Sequence, residues 1–513
     1  MSSNPFARTT LAQSLYDNAK LPRALVGGDQ AMRNGGKTYL PKWPMETEEA
    51  WASRRDSTFL YPGYADACST ATGLAFSEGV TLGEDVAAQI VDLWENVDYA
   101  GTHGDVFWAN AFNDSLHVGV GHVLAEYPRA EGIETLADER EAGLRPYLIY
   151  VPGDAVLGWR VSYSNGMTRL VQFRYLEVTT EPDGNFGEKE VQRVRVYYAS
   201  DAESPYARYE VYKLGTVGAA GANGEPILES AGPLAPHTEI PLSSWYAGPK
   251  TGYLMARPFF EGVASANLEL WQSGSDQRAN LHFARVSLFV FRGFTADEAK
   301  QVQAIGPAAR IACSDAGAGV DVVGGNPAAL GDGWKDMERL TATIRERSLK
   351  PLLSSTGAAE TATGRAIDAS REMSALERAM RSLQDAMEDA NGNMAIWMGL
   401  DYLAGGSVML AEELSPEPSQ VDDVRVILDM HRAGLLSKHT ALDESAKKLS
   451  LSDDFDLDAE LERIEAEGGG FNEPADDGMD EARQAFVKAA LANEGDDGKA
   501  DEEIVAPEPA QAA

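Results

Sequence analysis

The feature that most constrains this chain is a run of apolar residues, spaced alternately three and four positions apart, in its last third. The run comprises Met373, Leu376, Met380, Leu383, Met387, Ala390, Met394 and Trp397. Such spacing places side chains on one face of an α-helix. At ~1.5 Å per residue, a helix over residues 366–403 would span about 55 Å, more than the width of a small domain. The stripe predicts a long helix, with an expected kink at Gly392, that packs in a core or against partner helices as a coiled coil.

Carboxylates outnumber basic side chains along the chain. The 513 residues contain 80 Asp and Glu against 44 Lys and Arg, a net charge of −36. Residues 451–513 alone carry 20 acidic and 4 basic side chains. This balance argues against a protein that holds nucleic acid by broad neutralisation of phosphates. The Gly, Pro, Asp and Glu content of residues 466–513 predicts a disordered acidic tail.

The chain shows no sign of membrane insertion or secretion. No segment reaches the roughly 18 to 20 uncharged apolar residues of a membrane span, and the first 20 residues lack the apolar core of a signal peptide. The two cysteines, Cys68 and Cys313, are too far apart in sequence to indicate a metal cluster and fit a reducing compartment. We therefore expect a protein that assembles in the cytoplasm, with both cysteines small and buried.

The hydrophobic period changes along the first half of the chain. Helices are predicted through about residue 128, with a loop or helix break at Gly119–Gly121. Alternating residues between 145 and 213 then predict an antiparallel β meander with turns at 164–166 and 183–187.

The middle of the chain predicts a helical pair interrupted by a small insert. A long polar helix is expected from Pro258 to about Val286, followed by short strands and one short helix. Helical pattern resumes at Gly333, with Trp334, Met337, Leu340 and Ile344 on one face. Pro351 ends this second helix, so the chain goes out and comes back.

Familiar catalytic signatures are missing from the sequence. It contains no GxxxxGK[ST], HExxH, CxxC pair or GxSxG. No catalytic, cofactor-binding or metal residue is therefore predicted, and no cofactor. A metal-dependent hydrolase is kept as an alternative, since His103, His117 and His122 could hold zinc if they converged with a carboxylate such as Asp105 or Asp114.

One segment inverts the overall charge. Between residues 339 and 381 there are eight basic and five acidic side chains. Two interpretations stay open: ordinary ion pairs on helix faces, or contact with phosphate or with the acidic flank of a neighbouring subunit. The basic residues are Arg339, Arg345, Arg347, Lys350, Arg365, Arg371, Arg378 and Arg381.

Four sequence blocks, in this order, carry a resemblance to a known family. They are LVGGDQAMRNGGKTYLPKWPMETEEAWASRRDSTFLYPGYADACSTATGLAF, NLELWQSGSDQRANLHFARVSLFVFRGF, IGPAARIACSDAGAGVDVVGG and TGAAETATGRAIDASREMSALERAMRSLQDAMEDA. Together they resemble the portal proteins of tailed bacteriophages, most of all the portal-like phage family long catalogued as a domain of unknown function. The resemblance covers about residues 20–465.

The resemblance implies a mainly helical α+β fold, the phage portal fold with wing, stem, clip and crown regions. By position, the regions are an N-terminal wing at 1–255, stem helix 1 at 256–288, the clip at 289–333, stem helix 2 at 334–350, a tunnel loop at 351–365, a long kinked wing helix at 366–403, a helical crown at 404–465 and the acidic tail at 466–513.

The resemblance also implies a structural role without enzymatic activity. Portal proteins form rings, typically dodecamers, at one capsid vertex of the virion, and double-stranded DNA passes through during genome packaging and ejection without sequence-specific binding. The implied partners are the major capsid protein, the terminase and head–tail adaptor or neck proteins. Candidate channel residues are Lys350, Ser354, Ser355, Thr356, Glu360, Thr361, Thr363 and Arg365, and candidate clip-interface residues are Arg292, Phe294 and Arg310. A coiled-coil scaffold protein built on the apolar stripe is a further alternative.

Overall fold

The computed structural model describes residues 4–128, 143–164, 166–214, 225–285, 288–294, 317, 319–323, 327–348 and 362–410, with single positions 427, 430, 440 and 445. The chain divides into two compact units, Met1–Leu414 and Ser415–Ala513. In the second unit, the four described positions are helical. The expected crown beyond residue 410 and the acidic tail otherwise lie outside the described residues. None of the helices described has the length and apolarity needed to cross a membrane.

Six helices form the front of the first unit. They are α1 Thr10–Val26, α2 Gly28–Asn34, α3 Glu48–Ser57, α4 Gly63–Ala75, α5 Ala88–Leu93 and α6 Gly104–Val118. The Thr9 and Thr47 side chains accept the backbone N–H groups of Ala12 and Ala50, which caps α1 and α3. The predicted helical front is therefore confirmed as far as residue 118.

The prediction of helix through residue 128 is wrong. Helix α6 stops at Gly119, whose φ of +94° favours glycine. A Cβ there would lie 2.0 Å from the Arg257 carbonyl oxygen. The next residues form strand β2, Val120–Glu126, which is buried along its whole length. A short, fully buried apolar run has no period that separates strand from helix.

Strand β2 is the centre of a three-stranded antiparallel sheet. Its neighbours are β3, Tyr147–Pro152, and β9, Leu242–Tyr246. Two short ribbons complete this region: β1 Thr81–Leu82 pairs with β14 Val408–Met409, and β10 Lys250–Gly252 pairs with β11 Met255–Ala256.

The predicted antiparallel meander is confirmed as a five-stranded sheet. Its strands follow chain order: β4 Val156–Ser164, β5 Met167–Asp183, β6 Gly187–Tyr198, β7 Arg208–Leu214 and β8 Pro226–Pro233. Gly166 and Gly184, both at positive φ, lie in the two expected turns. The prediction differs at the ends, because Tyr147–Pro152 pairs in the other sheet and β8 was not foreseen.

Two long helices and a strand pair follow. Helix α7 spans Glu261–Arg285, strands β12 and β13 span Leu288–Arg292 and Gly319–Val323, and helix α8 spans Pro327–Arg347. The expected start of the second helix, at Gly333–Trp334, is thus wrong, since the helix already begins at Pro327. Proline suits the first position of a helix, and the Ala-Ala-Leu that follows favours helix.

The apolar stripe lies in the core of the unit. Helix α9, Ala362–Trp397, runs through Gly392, where a Cβ would lie 2.4 Å from the Tyr402 ring. The stripe members Leu376, Leu383 and Met394 are fully buried in a cluster that also includes residues from α4, α6, α7 and α8. Core packing is therefore confirmed, and this part of the stripe is not free to join a coiled coil with another chain.

Candidate functional site

Helices α7 and α8 pack side by side in antiparallel orientation. The Ser273 hydroxyl lies 3.4 Å from an Asp336 carboxylate oxygen. One turn further along α7, the Gln277 side-chain amide donates to the Leu330 carbonyl at 2.8 Å. Residues late in α7 thus face residues early in α8, which confirms the out-and-back path predicted from the sequence.

The strand pair continues the same path beyond the helices. Leu288 pairs with Val323, and the ladder runs to Arg292 opposite Gly319. The exposed Arg292 guanidinium forms an ion pair with Asp321 on the facing strand. The chain therefore leaves along α7 and β12 and returns along β13 and α8.

Burial changes along the helix pair. In the first half of α7 and the second half of α8, Trp271, Leu340 and Ile344 are almost fully buried in the main core. At the other end, Arg278 is exposed and Trp334 is 47% exposed. Trp334 was expected on the same packed face as Leu340 and Ile344, but it lies beyond the part of α8 that the main hydrophobic core covers. The pair is thus anchored at one end and exposed at the end that carries the strands.

Buried polar contacts fix the middle of α7. Arg54 of α3 donates to Glu46, to the Ser275 hydroxyl at 3.2 Å, and to Asp276 at 3.4 Å. The hydrogen bond from Arg54 lowers the pKa of Glu46. Sequence reasoning missed these contacts, because Arg54 and Ser275 are 221 positions apart and no spacing rule connects them.

A second polar residue on α7, Asn267, also connects this helix to the front of the chain. The Asn267 side chain donates to the Tyr61 carbonyl at 3.0 Å and accepts the Tyr64 backbone N–H at 2.9 Å. Both contacts attach the helix to the start of α4. The polar character of α7 in the sequence is therefore used for contacts with the chain's own front helices.

A groove of about 1300 Å³ runs beside the outer part of α7 and α8. Its lining includes Trp334 and His282, and Met45, whose side chain is 96% exposed. An apolar surface of this kind marks an interaction region more often than an isolated exposed side chain does.

The structure describes only some of the candidate channel and clip residues. Thr363 and Arg365 lie within α9, because the helix begins at Ala362 and the expected loop is shorter at that end. Phe294 is half-buried just after β12, and Arg292 is exposed at its end. The candidates Lys350, Ser354, Ser355, Thr356, Glu360, Thr361 and Arg310 lie outside the described residues, as does Cys313.

Two of the three histidines considered for zinc are buried. His117 lies 3.2 Å from the Tyr64 hydroxyl, and burial together with Arg23 lowers its pKa to about 4. His122, in β2, lies 2.8 Å from the Ser244 hydroxyl, and burial lowers its pKa to about 3.

The third histidine has a different role. His103 caps α6 by accepting the Asp105 backbone N–H at 3.3 Å. Over the described ranges, no three His, Cys, Asp or Glu side chains are grouped so that they could hold a metal ion. Cys68 is buried as expected, and burial raises its thiol pKa to about 12.

The basic segment resolves only partly into ion pairs. Arg339 pairs with Asp336 at 2.9 Å. Four other arginines make no ion pair with any described residue: Arg345, Arg347, Arg378 and Arg381. The interpretation as ordinary helix-face ion pairs therefore holds for Arg339 alone among these five.

One family model matches this helical region. A domain of unknown function, DUF4055, matches residues 259–398, the stretch from just before α7 to just after α9. No curated protein sequence matches the chain.

Three solved structures of gene transfer agent (GTA) particles are similar to this chain. A chain in the neck of the empty particle, computed with C6 symmetry, is 12% identical with a TM-score of 0.38, covering 75% of this chain and 90% of that one. A chain in the native virion is 12% identical with a TM-score of 0.40, covering 82% and 99%. A chain in the neck of the native particle, computed with C12 symmetry, is 13% identical with a TM-score of 0.38, covering 75% and 89%.

Proposed function

We propose that this chain is the portal subunit of a tailed-phage-like particle. The observation that carries the proposal is the antiparallel pair α7 and α8, which is buried at one end, exposed at the other and continued by the strand pair β12–β13. In the family that the sequence resembles, a stem of two helices with a clip between them has this order. Copies arranged around an axis would place their α7–α8 helix pairs side by side around a channel.

The charge of the chain supports a conduit for DNA. Subtracting the −16 of residues 451–513 from −36 leaves −20 for the rest of each copy. Phosphates are not held by a surface rich in carboxylates, so a duplex can slide past it. Screening over a Debye length of about 8 Å limits this effect to charges at the channel wall.

The proposed partners follow from the same assignment. The strand pair β12–β13, with Arg292 and Phe294, together with Arg310, would contact the terminase during packaging and adaptor or neck proteins afterwards. The remainder of the ring would contact the major capsid protein at one vertex. Double-stranded DNA would pass through without base-specific contacts.

The first test is the shape of the purified full-length chain. Negative-stain images are expected to show rings with an axial hole, typically of twelve subunits, and mass photometry is expected to give the matching mass. A chain that stays single-copy at every concentration would contradict the proposal. Stoichiometric zinc in a monomer would favour the hydrolase alternative, and elongated small oligomers would favour the scaffold.

A second test addresses the strand pair. The double variant Arg292→Glu, Phe294→Ala is expected to keep the ring mass and to lose binding to the particle's terminase or adaptor protein. Arg160→Glu, an exposed arginine on β4, is the matched charge-reversal control. Unchanged partner binding in the double variant would remove the strand pair from the proposed interface.

A further inference from the structure

Three basic side chains from separate parts of the chain surround one pocket. Lys250, Arg347 and Arg378 line a cavity of about 470 Å³, with Phe259 and Phe260 among its apolar walls. No Asp or Glu is among the lining residues. We refer to Lys250, Arg347 and Arg378 with these walls as the basic pocket.

The cations of the basic pocket lack acidic partners within the described part of the chain. Neither Arg347 nor Arg378 forms a salt bridge or side-chain hydrogen bond there, and the Lys250 ammonium lies 4.3 Å from the centroid of the Tyr246 ring. All three residues are exposed. In a chain of −36, these cations around a concave apolar surface are available to an anion from another molecule.

The shape of the pocket favours a protein occupant over duplex DNA. The phosphates of a duplex lie on a convex cylinder and offer no apolar group that could enter an aromatic-walled cavity. Carboxylates next to exposed aliphatic side chains would satisfy both the cations and the walls.

The chain carries a surface of that chemistry elsewhere. Residues 56–128 contain 11 acidic residues and no Lys or Arg. Within this stretch Glu84, Asp92 and Glu95 are exposed, and Val91 of α5 is 44% exposed. None of these three carboxylates has an ion pair with a residue that the structure describes.

An exposed leucine lies in a turn that contacts the start of α5. The Ala87 backbone N–H, just before α5, donates to the Ala404 carbonyl at 3.0 Å, which places the turn at residues 402–405 next to α5. In that turn Leu403 is 80% exposed. We refer to Glu84, Val91, Asp92, Glu95 and Leu403 as the acidic corner.

The two surfaces meet α9 at different levels. The basic pocket includes Arg378, whereas the turn beside the acidic corner packs on Gly392 through Tyr402. Fourteen residues of helix correspond to about 21 Å at 1.5 Å per residue. The surfaces are therefore separate patches, and their pairing requires two copies.

We infer that the basic pocket of one copy receives the acidic corner of the next copy. A contact between two different patches is heterologous and repeats around a ring when the rotation closes. The inference rests on the proposed ring and identifies one of its interfaces.

The experiment is a charge swap in the full-length chain. Arg347→Glu with Arg378→Glu, and separately Asp92→Lys with Glu95→Lys, are each expected to weaken ring association at least about tenfold, because like charges then face each other. The chain that carries all four substitutions is expected to recover most of the loss. Mass photometry over a concentration series measures the ring fraction, and added salt should lower it in the wild type.

The controls distinguish a failure of this inference from a failure of the proposed function. Arg160→Glu reverses an exposed charge away from both patches and should leave the ring fraction unchanged. If both double variants form rings as readily as the wild type does, this inference is overturned and the proposed function is left intact. If the wild-type chain itself stays single-copy, the proposed function is overturned. Intact rings with weaker binding to a short DNA duplex in Arg347→Glu, Arg378→Glu would assign the pocket to phosphate and overturn the inference. Failure of the four-fold variant to recover association would also overturn it.

Discussion

The Arg54 guanidinium donates to both carboxylate oxygens of Glu46, at 2.8 and 2.9 Å, and the two side chains are only 5% and 4% exposed. Arg54 also lies 4.1 Å from the centroid of the Trp43 ring. Because Arg54 reaches Ser275 and Asp276 as well, this pair joins the segment before α3 to the middle of α7. A buried pair of this kind is costly to break from one side only.

Replacing Arg54 with alanine is expected to lower the free energy of unfolding by about 3 to 5 kcal/mol, since the Glu46 carboxylate would stay buried without its partner. Arg54→Lys should also destabilise, because an ammonium cannot make the two parallel hydrogen bonds. Denaturant unfolding followed by circular dichroism measures both. Lys37→Ala is the control, since its pair with Glu48 is exposed and should contribute less than about 1 kcal/mol. Equal small effects for Arg54→Ala and Lys37→Ala would contradict the assignment.

The packing of α7 against α8 predicts opposite effects at two glycines of α8. A Cβ at Gly331 meets nothing within 4 Å, so Gly331→Ala should stabilise the helix by about 0.5 to 1 kcal/mol. A Cβ at Gly333 would lie 2.2 Å from the Gln277 side-chain oxygen, so Gly333→Ala must displace a buried side chain that donates to Leu330. We expect Gly333→Ala to fall below the wild type in thermal unfolding. If both variants gained equally, the two helices would not be in the contact described.

The parts of this fold that sequence predicts are those with local periodicity. The apolar stripe of α9, including Leu376, Met387 and Met394, was predictable because helical spacing continues over many turns. The turn at Gly184 was predictable from its composition. Strand β2 was not, because a fully buried strand shows no alternation.

The anchoring and pocket residues were harder to predict for a different reason. Arg54 and Ser275, or Lys250 and Arg378, meet only through tertiary packing, and no local pattern encodes such a pair. Composition gave a partial signal, since the net positive segment between residues 339 and 381 contains Arg347 and Arg378 of the basic pocket. Trp334 is exposed because the main hydrophobic core covers only the later part of α8, and helical periodicity does not show where that cover stops.

Buried neutral histidines predict a loss of stability on mild acidification. The pKa of His117 and His237 is lowered to about 4 and that of His122 to about 3, mainly by burial. Between the unfolded value of about 6.5 and these folded values, the unfolded chain binds protons that the folded chain excludes, so stability falls as pH falls. The dependence of unfolding free energy on pH, from pH 7 to 4.5, should show this slope.

The variant His122→Phe tests the same point at one site. The ring of His122 packs edge-on against Phe173, so phenylalanine conserves its shape and removes its titration. The slope of stability against pH should decrease by up to one proton relative to the wild type. An identical slope in His122→Phe would place the pH dependence elsewhere.

The proposed channel predicts a role for the few basic groups that flank the expected tunnel loop. Lys350→Gln with Arg365→Gln should leave ring mass and thermal unfolding unchanged, because neither substitution is expected to alter the core. It should reduce the rate of genome packaging or ejection several-fold if these side chains make transient contacts with passing phosphates, whose strength depends on salt. The measurement is DNA translocation into assembled particles at two ionic strengths. Lys335→Gln, an exposed change on α8, is the matched control. Packaging and ejection that are unchanged in the double variant would restrict Lys350 and Arg365 to a structural role.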